Sequence, residues 1–234
     1  MNVLAAIVFF AYVPALIILW YFYHQDRLEP EPRRYVIGTF ILGATLSVGI
    51  ALIIESVLTP KWGGMALLFP GSITWMAFVA GTVEEPSKAL AILLPFRRGQ
   101  MDGIMDGVVY GVAAGLGFAA TENLLYGLGY GLETTVLRAF LTPLAHATWT
   151  AIVGVGYGLM SEGRAEGIWG FLTTAMFLHF LWDYFAFLSM AVPAYNVILI
   201  FLLLMNLAIL RYLTLLGIEE DIKKRLYYVF RWGW

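Results

Sequence analysis

Residues 3–23, VLAAIVFFAYVPALIILWYFY, form an apolar stretch without any charged side chain. A run of roughly 18 or more such residues is long enough to cross the hydrocarbon core of a bilayer as a helix. No basic residue precedes the stretch and no cleavage site of the A-x-A type follows it. We therefore expect a retained membrane span here, not a signal peptide that is removed.

Six further apolar blocks follow, and they explain an unusual composition. Of 234 residues, 61% are hydrophobic and 13% are charged, whereas soluble domains average roughly 45–50% apolar and about 25% charged residues. The blocks cover residues 35–57, 67–96, 104–126, 135–160, 168–190 and 195–216. The expected fold class is an all-α polytopic membrane protein with about seven transmembrane helices.

Charge and cysteine content exclude several kinds of partner and site. The formal net charge is −2, which argues against binding to nucleic acid. The chain has no cysteine, so disulfides, thiol nucleophiles and zinc–thiolate sites are excluded. The lipid bilayer is the one environment that this composition requires.

Basic residues in the connections predict the orientation in the membrane. One side carries most of them: Arg27, Arg33, Arg34, Arg97, Arg98, Arg164, Arg211, Lys223, Lys224, Arg225 and Arg231. The other side has Lys61 and Arg138. Since basic loops stay in the cytoplasm, we expect the N-terminus outside and the C-terminus inside. The mixed-charge tail after Gly217 suits a short interfacial helix, but we favour a cytoplasmic tail that serves retention and solubility.

Glycines recur every fourth residue in the fourth block, at Gly103, Gly107, Gly111 and Gly115. Residues at this spacing share one helix face, and small side chains there let a second helix backbone approach closely. The fifth block carries a shorter version of the same pattern. We expect these two helices to pack tightly and to bring side chains of different spans together.

The most informative residues are the ionisable ones that lie inside the apolar blocks. They are Glu84, Glu85, Lys88, Asp106, Glu122, His146, His179 and Asp183. An isolated charge at mid-bilayer costs about 2.5–3.5 kcal/mol, so these side chains must face one another or a wet cavity. Counted from the expected outer ends, Glu84 and Glu85 lie near the midplane, and the outer half holds Glu122, His146, His179 and Asp183. Four helices therefore direct polar groups at one zone.

Spacing within the helices suggests partners, and other interpretations stay open. Glu84 and Lys88 are four residues apart, so the lysine can pair with one carboxylate and leave its neighbour free as a general base. The same groups could instead form a structural ion pair, a scaffold, or the relay of a proton- or ion-coupled transporter or channel. Asp106 is more typical of a structural group, and Glu55 of a side chain that snorkels to the interface.

Four short motifs occur in a fixed order between about residues 72 and 187. They are Glu84-Glu-Pro-Ser-Lys88, Phe118-Ala-Ala-Thr-Glu122 followed by Asn123, the single His146, and His179-Phe-Leu-Trp-Asp183. This series resembles the E-E-x-x-K, F-x-x-x-E-N, His and H-x-x-x-D motifs of the PrsW intramembrane proteases. That family lies within the superfamily of CAAX-processing and abortive-infection membrane proteases.

The resemblance implies a role for each motif residue. Glu84 would be the general base that activates water, while Glu85 pairs with Lys88 to hold the helix. Glu122, which replaces a superfamily histidine, would share the activated water or bind a metal ion.

Two histidines would complete the site. His146 and His179 would be metal ligands, or His179 with Asp183 would stabilise the oxyanion. With Glu122, the two histidines make a possible catalytic Zn²⁺ site, although related enzymes have been argued to use a glutamate-activated water without metal.

The resemblance also implies the activity and the setting. We expect an intramembrane endopeptidase of a prokaryotic plasma membrane that cuts a single-span membrane protein, such as an anti-sigma factor, near the outer half of the bilayer. The chain would form one membrane domain, residues 1–234, with accessory helices in 1–65, a catalytic core in 66–190, and a last helix and cytoplasmic tail in 191–234. The oligomeric state stays open.

Overall fold

The computed structural model describes residues 2–59 and 70–232, and these residues form helices and short connections without a strand. The helices are α1 (Val3–Tyr23), α2 (Arg33–Leu42), α3 (Val48–Leu58), α4 (Pro70–Arg97), α5 (Ile104–Tyr130), α6 (Leu132–Ser161), α7 (Trp169–Ala191) and α8 (Asn196–Trp232). A π-helical turn, Gly43–Ser47, joins α2 to α3 in one rod. The all-α polytopic fold class is confirmed.

When α2 and α3 are counted as one continuous helix, the seven long helices of residues 2–59 and 70–232 correspond one to one with the seven predicted spans. Six of the described helical segments are long and apolar enough to cross a membrane: Val3–Tyr23, Arg33–Leu58, Ile104–Tyr130, Leu132–Ser161, Trp169–Ala191 and Pro193–Tyr227. The remaining rod, α4, is 28 residues long and is less apolar because it carries Glu84, Glu85 and Lys88. The first residues of the predicted block 67–96 lie outside the described part of the chain.

Helices α5 and α6 pack along the glycine stripe, and this pair forms the centre of the bundle. A methyl group added at Gly107 would lie 2.5 Å from the carbonyl oxygen of Gly154, and one at Gly111 would lie 2.5 Å from that of Thr150. At Gly115 the neighbouring backbone atom is the carbonyl oxygen of His146. The stripe thus fixes the height at which α6 presents His146 to the rest of the bundle.

We expect Gly107→Ala to lower the free energy of unfolding by about 1–3 kcal/mol, because the added methyl group forces two backbones apart. Gly129→Ala is the matched control on the same helix, since no atom lies within 4 Å of its added methyl group. The control should gain about 0.5–1 kcal/mol from better helix propensity. Unfolding in detergent, followed by circular dichroism, measures both. Equal stability of the two variants would contradict the close packing.

The tail does not form a separate interfacial helix, which was the less favoured of the two interpretations. Helix α8 continues through Gly217 without a break up to Trp232, so the tail is part of the last helix. Glu220 accepts a hydrogen bond from the backbone N–H of Ile104 at 3.3 Å and contacts Arg164. Lys224 Nζ lies 2.7 Å from a carboxylate oxygen of Glu162. These contacts join the tail to the start of α5 and to the α6–α7 connection.

A buried acidic cluster, Asp26–Glu31–Asp106, lies where the α1–α2 connection meets the start of α5. Ligand-type oxygens of the three carboxylates lie within 4.8 Å of one another, and Tyr110 donates a hydrogen bond to Glu31. Burial, with the nearby charge of Asp106, raises the pKa of Glu31 to about 9 and that of Asp26 to about 6. Glu31 is therefore protonated at neutral pH. Asp106 belongs to this cluster and not to the site described below.

This proton on Glu31 makes the stability depend on pH. The unfolded chain releases this proton near the ordinary pKa of 4.5, whereas the pKa of Glu31 in the folded protein is about 9. Since the unfolded state then binds fewer protons, the free energy of unfolding falls as pH rises through that range. We expect Glu31→Gln, whose amide cannot ionise, to flatten this decline in melting temperatures measured between pH 5 and 9. An unchanged slope would contradict the assignment.

Candidate active site

Four helices bring the predicted site residues together in one buried cluster. Helix α4 supplies Glu84, Glu85 and Lys88, α5 supplies Glu122, α6 supplies His146, and α7 supplies His179 and Asp183. Contacts link all seven: Lys88 contacts Glu84, Glu85 and His146, and His179 contacts Glu84 and Glu85. Glu122 joins through His146 and Asp183 through His179. The convergence expected from the sequence is confirmed.

Lys88 lies at the centre of the cluster and is fully buried. Its Nζ lies 2.7 Å from Glu85 Oε1, 3.0 Å from Glu84 Oε2 and 2.8 Å from His146 Nδ1. The sequence predicted a pair with one carboxylate and a second carboxylate left free, whereas the lysine contacts both. Its ammonium group also lies 4.2 Å from the centre of the Phe118 ring. Lys88 thus balances the charge of two adjacent acids.

His179 connects α7 to the acids of α4. Its Nδ1 lies 2.9 Å from Glu85 Oε1, and its Nε2 lies 3.7 Å from Glu84 Oε2 and 3.5 Å from Asp183 Oδ2. A carboxylate only accepts hydrogen bonds, so the contact with Glu85 assigns a proton to Nδ1. The opposite nitrogen then faces Glu84, where it can take a proton or bind a cation.

Trp149 orients this histidine, a function that sequence reasoning did not assign to it. Its ring stacks on the His179 ring with centroids 4.3 Å apart and an interplanar angle of 18°. Its Nε1 donates a hydrogen bond to Asn206 Oδ1 of α8 at 3.1 Å. The signal that the sequence offers for this role is the position of Trp149 one turn after His146.

Glu122 forms an ion pair with Arg138, which the sequence analysis counted among the few basic residues of the outer connections. Arg138 Nη2 lies 2.8 Å from Glu122 Oε2, and the guanidinium lies 3.8 Å from the centre of the Tyr126 ring. On its other side Glu122 Oε2 lies 3.2 Å from His146 Nε2. Because Lys88 donates to His146 Nδ1, the imidazole proton belongs on Nε2, which lies near Glu122 without forming a hydrogen bond of good geometry.

One set of buried side chains at this site has the donors that a metal ion requires. Glu84, His146 and His179 each offer a ligand atom, and the three atoms lie within 4.8 Å of one another. Two histidines with one carboxylate form a donor set that zinc takes in catalytic sites, so the residues fit the ion. Glu122, the carboxylate expected in this set, pairs with Arg138 instead. Binding through His146 requires its ring to leave Lys88 or Glu122.

A cavity of about 290 Å³ leads to the cluster from the side of α3. Its wall includes Glu84, Glu122 and Asp183, while Glu85 and Lys88 lie behind that wall. Apolar side chains of α3, α4, α5 and α7 form most of the rest. The space is large enough for several water molecules or a short peptide segment, so Glu84 is the α4 carboxylate that a substrate can reach.

Helices that can span a membrane, with a buried polar cluster and a cavity that reaches it, define a polytopic membrane protein with a candidate active site inside the helix bundle. Residues 31–210 match the model of a family described as PrsW family intramembrane metalloprotease. Because that match covers most of the chain, the protein belongs to the PrsW family of intramembrane proteases.

Individual relatives agree with this assignment. The chain is 31% identical to Protease PrsW of Bacillus subtilis (strain 168) over 167 residues, which cover 70% of this chain and 74% of the relative. It is 32% identical to Protease PrsW of Clostridioides difficile (strain 630) over 170 residues, which cover 67% and 66%. For Protease PrsW of Geobacillus kaustophilus (strain HTA426) the values are 28% over 175 residues, with 73% and 75% covered. No solved structure matches the chain.

Proposed function

We propose that this protein is an endopeptidase that cuts a single-span membrane protein near the outer half of the bilayer, with Glu84 as the general base. The observation that carries the proposal is the cavity, which brings one member of the buried Glu84–Glu85 pair to a space that a peptide can enter. Family membership supports the hydrolytic activity. The cut bond would lie within the membrane span or a few residues from it.

The contacts of the cluster suggest how its residues share the reaction. Glu84 would take a proton from a water molecule in the cavity, and the resulting hydroxide would attack the peptide carbonyl carbon. Glu84 would then give that proton to the amine that leaves. Lys88 and Glu85 would hold Glu84 in position, and His179 with Asp183 would stabilise the oxyanion.

Zn²⁺ is the cofactor of the alternative, metal-assisted mechanism, in which Glu84, His146 and His179 would hold the ion. The ion would act as a Lewis acid on the peptide carbonyl and lower the pKa of a bound water. Glu84 cannot serve both as a full metal ligand and as a free base. Elemental analysis of purified wild type and of His179→Ala therefore distinguishes the mechanisms: zinc in the first and not in the second supports the metal site, and active wild type without metal supports the glutamate-activated water.

The setting proposed for the reaction is a prokaryotic plasma membrane with the N-terminus outside and the C-terminus in the cytoplasm. The density of basic residues in alternate connections supports this orientation. The substrate would be a regulatory membrane protein of the anti-sigma-factor type. Accessibility of single cysteines introduced at Asn2 and at exposed Glu219 to an impermeant reagent, in oriented vesicles, tests the two termini independently of activity.

A cleavage assay in proteoliposomes tests the activity. Wild type and Glu84→Gln are incubated with a panel of single-span proteins that carry different outer juxtamembrane segments. We expect a shortened product with wild type only. Equal cleavage by both proteins would contradict the role of Glu84, and solute accumulation in sealed vesicles without any cleavage would favour a transporter.

A further inference from the structure

Glu55 of α3 lies in the wall of the cavity, although its position near the end of a span suggested a side chain that snorkels away from the site. Four carboxylates line the cavity: Glu55, Glu84, Glu122 and Asp183. No basic side chain is among the lining residues in the described ranges 2–59 and 70–232, where the others are apolar or carry only a hydroxyl group. The cavity therefore presents a surplus of negative charge to whatever enters it.

Three of these four acids have partners within the protein. Glu84 pairs with Lys88 at 3.0 Å, Glu122 pairs with Arg138 at 2.8 Å, and Asp183 lies 3.5 Å from His179. Glu122 Oε2, like Glu55 Oε1, accepts no hydrogen bond of good geometry, but Glu122 has its ion pair with Arg138. Glu55 differs because it forms no ion pair with the residues that the structure describes. Its Oε1 is shielded from solvent and accepts no hydrogen bond from the residues that the structure describes.

An acceptor in that position is costly unless a donor reaches it. A buried carboxylate oxygen without a hydrogen-bond partner has lost its hydration, and no hydrogen bond within the protein compensates for that loss. Glu55 lies one turn before the end of α3 at Leu58, so a substrate group that reaches it lies close to the membrane interface. Lysine and arginine side chains are tolerated at that depth because their charged ends can extend to water.

We propose that Glu55 is a specificity residue that binds a lysine or arginine side chain of the substrate segment lying in the cavity. The proposal rests on the proposed endopeptidase function, since Glu55 would bind a side chain of the same substrate in the same cavity. Arginine would donate two parallel hydrogen bonds to the carboxylate and lysine one or two. A substrate with a neutral residue at that position would leave the Glu55 carboxylate unpaired, and one with an acidic residue would be repelled.

The test uses a set of single-span proteins that differ only in carrying Lys, Gln or Glu at successive positions of the outer juxtamembrane segment. Binding of each is measured to Glu84→Gln in proteoliposomes, so the result does not depend on catalysis. We expect the Lys protein to bind about tenfold or more tightly than the Gln protein at one position. Adding Glu55→Gln to the Glu84→Gln protein should remove its preference for the substrate with Lys. Adding Glu55→Lys instead should give a preference for the substrate with Glu.

Glu133→Gln is the matched control, because it removes a carboxylate from the start of α6 at an exposed position outside the cavity. It should leave the preference for Lys unchanged. The proposal is overturned if Glu55→Gln weakens the binding of all three proteins alike, or if no member shows a preference that Glu55 controls. Cleavage of the same set by wild type is scored separately, so loss of proteolysis contradicts the proposed function and not the role of Glu55.

Discussion

We expect Glu84→Gln to lower the rate of substrate cleavage by a factor of about 10² to 10⁴, the usual contribution of a general base. Gln has the shape of Glu and can still accept a hydrogen bond from Lys88, but it cannot take a proton from water. The helix bundle should therefore stay folded. Initial rates of product formation in proteoliposomes, together with melting temperatures in detergent, separate a loss of chemistry from a loss of structure.

The same loss is expected if Glu84 binds a metal ion, so zinc content is measured in the same preparations. Glu133→Gln provides the comparison, since it also removes one carboxylate but lies outside the cavity. Its cleavage rate should equal that of wild type. A Glu84→Gln protein that keeps more than about a tenth of the wild-type rate would show that another group activates the water.

Lys88→Met is expected to have the largest effect on stability, a loss of about 3–5 kcal/mol in the free energy of unfolding. Lys88 is fully buried and contacts both Glu84 and Glu85. Without it, two carboxylates lie side by side with no ammonium group to balance them, and His146 loses the donor at its Nδ1. Equilibrium unfolding in detergent at neutral pH measures the change.

A double variant identifies the charge as the cause. In Glu85→Gln/Lys88→Met one negative and one positive charge are removed together, so most of the lost stability should return. Cleavage should stay low, because Glu84 and His179 would no longer be held by their neighbours. If the double variant is as unstable as the sum of the single changes, the loss arises from packing around Lys88 and not from an unbalanced carboxylate.

The sequence predicted the parts of the fold that depend on local composition. Each span is a long apolar run, and the glycines of α5 recur at the helical repeat, so both could be assigned without a structure. The charged residues could be expected to converge because isolated charges in a bilayer are costly. For that reason Glu84, Glu122, His146 and His179 could be expected to lie close together in the membrane, although they belong to four different helices.

Contacts between distant residues could not be predicted in the same way, because they depend on how each helix is rotated about its axis. Arg138 was counted as a loop cation, yet its rotation on α6 points it at Glu122. Glu55 is separated from Glu84 by 29 positions in the sequence, and only the packing of α3 against α4 places both at one cavity. Glu31 and Tyr110 meet for a similar reason.

The carboxylate available to a metal ion also depends on tertiary contacts. The sequence selected Glu122 because it replaces a superfamily histidine in the motif, whereas the group with the right spacing contains Glu84. Glu122 forms an ion pair with Arg138. A one-dimensional motif shows which residue types are present, but not which of them is already bound by a neighbour.

The most direct test of the account is to map the bond that purified wild type cuts in a reconstituted single-span substrate, in water enriched in the heavy isotope of oxygen. We expect a cut within the span or a few residues outside it, with one heavy oxygen in the new carboxylate and no product from Glu84→Gln. A cut in a soluble region far from the bilayer, or the same product from both proteins, would contradict it.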